Sequence, residues 1–177
     1  MGDGFDLGEK RERVMTELSP SGPVLFCFDG SQGSLSALRA AGLLIDRSAE
    51  AVVLTVWETI ETRLALAGGF ADGFGASGAD VDAAEEAAAR SAAEEGAALA
   101  TEHGFKATPM VRQAYTGVGT AILEVADEVS ARLIVCGQRG RGALRAALTG
   151  SVSHRLAAHA QHPVLIAPQA PAPAGGH

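Results

Sequence analysis

A chain of 177 residues is one domain's worth, long enough to bury a core without disulfide or metal staples. With 47% hydrophobic and 20% charged residues it reads as globular, and a net charge of −7 gives a surface that repels polyanions, so a nucleic-acid partner is disfavoured. Two cysteines, Cys27 and Cys136, make neither a disulfide framework nor a zinc pattern, and no apolar run is long enough to span a bilayer.

Residues 1–20 are polar and charged, lack the apolar stretch of a signal peptide, and read as a loosely ordered lead-in; the expected compartment is the cytoplasm. Order is expected from residue 21 to 168, with a flexible Pro/Ala/Gly tail at 169–177. The run Val24-Leu25-Phe26-Cys27-Phe28 is continuously apolar, as in strands covered on both faces, and stops at the turn Asp29-Gly30-Ser31. Leu35, Leu38, Gly42 and Ile45 recur at helical spacing, with Ser31 or Ser34 as the cap. Ala51–Trp57 is a second buried strand. Glu58–Asp80 holds five glycines and reads as one long loop, and loops of that length in a compact domain are usually functional or mobile. From Val81 to about His103, alanine and glutamate predict a long helix ended by Gly104.

The third strand is expected at Ala107–Ala114, followed by a helix with an apolar stripe at Ile122, Val125, Ala126 and Val129. Leu133–Cys136 is the fourth strand, Gly137–Gly150 a loop marked by glycine and arginine, Ser151–Ala160 a helix, and Pro163–Ala167 the last strand. Strands alternating with helices predict an open α/β domain: a five-stranded parallel sheet, Rossmann-like, with right-handed crossovers and helices on both faces. Ligands in such sheets lie beyond the carboxyl ends of the strands, which directs attention to Asp29-Gly30-Ser31 and to the segment from Gly137 onward.

In that segment Gly137-Gln138-Arg139-Gly140 leads through nine residues to Gly150-Ser151. Glycines let backbone N–H groups approach an anion, a helix beginning at Ser151 aims unpaired N–H groups forward, and Ser151 and Ser153 add hydroxyls. These are the parts of a phosphate cradle. It is not a P-loop, because GxxxxGK[ST] is absent, and Gly117-Val118-Gly119 is not a dinucleotide fingerprint.

The spacing G-x2-G-x9-G-[ST] after a fourth strand resembles the ATP-binding motif of the universal stress protein family, complete here at Gly137, Gly140, Gly150 and Ser151. The resemblance runs from about Val24 to Ala167 and implies a sheet order of 3-2-1-4-5. It implies that Asp29 and Val56 frame adenine and ribose, that Gly137, Arg139 and Gly140 border ribose and phosphates, and that Gly150, Ser151, Val152 and Ser153 hold the phosphates. The sequence departs from relatives at Cys27 and Phe28, where small or polar residues are common. The ligand implied is ATP, with or without Mg²⁺, and the assembly implied is a homodimer through the Pro163–Ala167 strand.

Plainer readings stand beside these. Asp29 is also suited to cap the next helix, and Arg141 and Arg145 to line a solvated face; the two cysteines, which end neighbouring strands in the order the resemblance implies, read as buried small hydrophobes, with a redox pair as the alternative. His154 and His159 are five apart, so they do not share a helix face as a metal pair, and no metal site is expected. With no general base beside the cradle, the expected function is a regulatory, stress-response ATP-binding protein without catalytic residues. The alternatives are a slow ATPase or self-phosphorylating enzyme, and a nucleotide-free dimeric interaction module.

Overall fold

A computed structural model describes residues 21–66, 75–140 and 150–169. The elements in chain order are β1 (Val24–Cys27), α1 (Gln32–Leu44), β2 (Glu50–Trp57), α2 (Ile60–Leu66), α3 (Gly75–Glu102), β3 (Lys106–Gln113), α4 (Val118–Glu128), β4 (Leu133–Gly137), α5 (Ser151–His159) and β5 (Val164–Ala167). All strand pairs are parallel and the sheet order is β3-β2-β1-β4-β5, as the resemblance implies.

The two-residue period of a strand sorts the core into two layers. Val24, Phe26, Phe28, Val53 and Val135 face one side, where they meet Ala37, Leu38 and Ala41 of α1 and Ala97 and Ala100 of α3. Leu25, Leu54, Ile134 and Cys136 face the other, against Ile122, Val125 and Ala126 of α4 and Leu156 of α5. The central strand therefore has no polar face: Val24 and Leu25 are fully buried. This is why its sequence reads as a continuous apolar run and not an alternating one.

Aromatic residues are scarce, so small side chains do the close fitting. Gly96 of α3 lies so near the sheet that a Cβ there would stand 2.8 Å from the Phe28 ring and from Val53. Phe28 is thus held beneath α3, 3% exposed, which is where the bulk at this departure from the family pattern goes. Among the described residues, Phe26 meets Phe105 edge to face at 5.2 Å.

Glu58–Asp80 is not one long loop. It carries α2, and α3 begins at Gly75, six residues before the expected start. The α2 start is capped by Thr59, whose Oγ1 accepts from Thr62 N–H at 3.1 Å, and Asp82 accepts from Ile60 N–H at 2.8 Å. The glycines that argued for a loop are partly absorbed into the helix, where Gly78 is buried. Gly68, Gly69 and Gly73, like Arg141 and Arg145, lie outside the described residues. At its other end α3 stops where expected: Gly104 takes φ 94° and Phe105 N–H reaches back to Ala100 O at 3.1 Å.

Candidate functional site

The chain runs from β1 outward through β2 to β3, then returns to β4 on the other side of β1. The helices after β1 and β4 leave the sheet in opposite directions, and the carboxyl ends of these two strands open a cleft between them. The cleft has a volume of about 600 Å³, and all nine sequence-predicted site residues line it: Asp29, Val56, Gly137, Arg139, Gly140, Gly150, Ser151, Val152 and Ser153.

Asp29 follows β1 in a tight turn. Its Oδ1 accepts from Ser31 N–H at 3.0 Å, and Ser31 in turn caps α1 by accepting from Ser34 N–H at 3.2 Å. Helix capping and a place in the cleft are therefore combined in one turn. The glycine segment closes over it: a Cβ on Gly140 would stand 2.6 Å from Asp29 Oδ2. Behind this, backbone meets backbone. A Cβ on Gly137 would lie 2.4 Å from the Gly33 carbonyl carbon, and one on Gly33 would lie 1.9 Å from Arg139 O. Gly33 was not among the expected site residues, and the spacing argument contains no signal for it.

The start of α5 is locked to the same segment. Gly150 N–H donates to Gln138 O at 2.9 Å, and the Ser153 hydroxyl lies within 2.9 Å of Gln138 O and 3.0 Å of Gly150 O. Ser153 is 1% exposed, so its hydroxyl is turned inward to hold the loop and its backbone N–H is what it offers forward. No side chain caps α5 at Gly150, and the first intrahelical bond is His154 N–H to Gly150 O at 3.0 Å. The N–H groups of Ser151, Val152 and Ser153 are the donors a helix start leaves without intrahelical partners. Arg139 adds a cation at the same mouth, and its Nε is buried with no hydrogen-bond partner among the described residues.

The floor is apolar. Cys27 and Cys136 stand at the ends of β1 and β4, and burial pushes the Cys136 thiol up to about 11. Burial first, then Cys136 and Asp29 nearby, push the Cys27 thiol well up too. Both are protonated near neutral pH. A third wall comes from residues that no sequence signal singled out for the site: Trp57, Glu58, Arg63 of α2 and Glu85, Ala88 and Ala92 of α3. Arg63 bridges to Glu85 at 3.5 Å, an exposed pair of small energetic consequence. Among the described residues no three His, Cys, Asp or Glu side chains gather into a metal-binding group, and no helix is long and apolar enough to cross a membrane.

An open, doubly wound parallel α/β sheet with an anion-suited cleft at its switch point defines the class of protein. The profile of the Universal stress protein family matches residues 21–168, and the chain belongs to that family. Among solved structures it is similar to a universal stress family protein from Burkholderia pseudomallei at 27% identity and a TM-score of 0.64, covering 84% of this chain and 96% of that one. It is also similar in fold to the universal stress protein from Archaeoglobus fulgidus in complex with dAMP (19% identity, TM-score 0.52, 82% and 97% covered). A third is the Arabidopsis thaliana family protein with AMP bound (16% identity, TM-score 0.58, 84% and 92% covered). Comparison with curated protein sequences gives no match.

Proposed function

We propose that the cleft binds an adenine nucleotide, and ATP in particular, and that the protein acts as a cytoplasmic regulator in a stress response through its nucleotide-bound state. The observation that carries this reading is the start of α5, without a side-chain cap, beside an Arg139 Nε that has no partner among the described residues. Three forward-facing N–H groups and a guanidinium are what a phosphate chain requires of a protein. The backbone N–H groups of Ser151, Val152 and Ser153 would receive the phosphates, with Gly140 and Gly150 lining their approach, while Val56 on the apolar wall and Asp29 at the turn would frame base and ribose. Asp29 is also a carboxylate in the cleft that a Mg²⁺ ion travelling with ATP would find. Family members crystallised with AMP and dAMP support the adenine-nucleotide class.

Mass spectrometry of gently purified protein tests this reading. Adenine nucleotide carried through purification is the expected result. Steady production of ADP and phosphate from added ATP would move the assignment to an enzyme, and an empty cleft that takes up no added nucleotide would leave an interaction module.

We also propose a homodimer through β5. The strand sits at a sheet edge, and its residues Val164, Leu165 and Ile166 bring no charge to deter a second copy. Two such edges paired antiparallel about a two-fold axis close the assembly. Leu165→Lys is expected to shift the sedimenting species from dimer to monomer while Leu165→Met stays dimeric, with thermal melts confirming that both fold. A wild-type monomer at micromolar concentration, or a folded Leu165→Lys dimer, would contradict the edge interface.

A further inference from the structure

β1 and β4 are adjacent and in register, Val24 beside Leu133, Leu25 beside Ile134 and Phe26 beside Val135. The next step along both strands places Cys27 beside Cys136. Both side chains belong to the same layer, Cys136 buried within the α4/α5-side core and Cys27 packed against it, and both line the cleft. Neighbouring parallel strands lie about 4.7–4.9 Å apart. That spacing falls inside the Cα separation of about 4.4–6.8 Å that a disulfide spans. Both cysteines are reduced in this structure.

From this juxtaposition we infer that Cys27 and Cys136 form an oxidisable dithiol on the cleft floor, which small disulfides such as oxidised glutathione convert to an intramolecular Cys27–Cys136 disulfide. Cys27, the more open of the two, is the entering thiol. Its sulfur gives up a proton to solvent and attacks one sulfur of glutathione disulfide, whose S–S bond breaks and releases one glutathione that takes up a proton. Cys136 then loses its proton and attacks Cys27 Sγ, the Sγ–Sγ bond forms, and the second glutathione leaves as a thiol. The two cysteines lose two electrons and the small disulfide gains them. The protonated state of both thiols makes the exchange slow near neutrality and faster as pH rises. Asp29 and Cys136 are the ionisable groups acting on Cys27, while Ile122 and Val152, from α4 and α5, present apolar sides to the same cluster. The crosslink would tie together the two strand ends that carry the Asp29 turn and the Gly137 segment. It forms in an empty cleft, so its test does not depend on nucleotide binding.

The test treats the reduced full chain with oxidised glutathione at mildly alkaline pH, without denaturant. The chain is then unfolded and exposed to a maleimide, and its intact mass is read. The expected product is a monomeric chain lighter by two hydrogens with neither cysteine labelled, and a Cys136→Ser variant stopped as a glutathione adduct on Cys27. Maleimide on both cysteines of the wild type, glutathione retained on it, or a crosslink between chains would overturn the inference. So would a folded Cys136→Ser chain whose Cys27 takes no adduct.

Discussion

Replacing Gly137 by alanine is expected to remove most of the nucleotide affinity while leaving a folded protein. The added Cβ would stand 2.4 Å from the Gly33 carbonyl carbon, and the obstructing atoms are backbone, not the end of a flexible side chain. Either the start of α1 or the end of β4 must move, and overpacking of this kind costs about 1–3 kcal/mol. Both segments carry the cleft, so the cost falls on the site. At about 1.4 kcal/mol for each tenfold, a loss of about five- to a hundredfold in affinity follows. Gly33→Ala should behave alike, since its Cβ would lie 1.9 Å from Arg139 O. Gly150→Ala is the contrast: its nearest contact would be 3.3 Å from Gln138 O, and its backbone φ of −71° is open to any residue. Titration calorimetry with thermal melts separates the cases. A folded Gly137→Ala chain with wild-type affinity would mean that the α1–β4 contact does not shape the binding site.

Asp29→Ala should weaken nucleotide binding far more than Arg90→Ala. Asp29 accepts from Ser31 N–H through one carboxylate oxygen and packs the other against Gly140, so its loss loosens the turn and removes a group from the cleft wall. Hydrogen bonds to charged groups contribute about 1.5–3 kcal/mol. Arg90 pairs with Glu86 at 2.9 Å on the exposed side of α3, an i,i+4 surface pair worth about 0.3–0.5 kcal/mol to stability, with no path to the cleft. Asp29→Asn keeps an acceptor for Ser31 N–H while removing the charge, so it divides turn geometry from charge. Equal affinities for the alanine variants at 29 and 90 would move the site away from the end of β1.

These two predictions rest on parts of the site that differed in legibility. The strands were readable because full burial on both faces forces continuous apolar runs, and Val24–Cys27, Glu50–Trp57 and Leu133–Gly137 lie within a residue of their expected bounds. The order of the sheet was not contained in periodicity, which fixes a strand's faces but not its neighbours; it came from the resemblance. The nine site residues sit on segments that follow strands or open helices, where glycine spacing is a local signal. The wall formed by Arg63, Glu85 and Ala88 arrives from helices distant in sequence, with no spacing rule to announce it.

The glycines were legible in position, and the structure adds a second cause to the expected one. Close approach to an anion was the expected reason for Gly137 and Gly140. In the structure Gly137 makes room for the backbone of Gly33, and Gly140 makes room for Asp29. Ser153 shows the same shift, since its hydroxyl fastens the loop to Gln138 O and Gly150 O instead of facing the cleft. The glycine region between Glu58 and Asp80 was misread because a glycine such as Gly78 is tolerated inside a helix and does not by itself mark a turn.

The most direct test of the nucleotide assignment is calorimetric titration of the reduced, nucleotide-free chain with ATP and with AMP, set beside guanosine nucleotides. The expected result is saturable binding of one adenine nucleotide per chain with micromolar affinity, tighter for ATP than for AMP because α5 and Arg139 act on the phosphates. No saturable heat with either adenine nucleotide, from protein shown to be folded and empty, would contradict it.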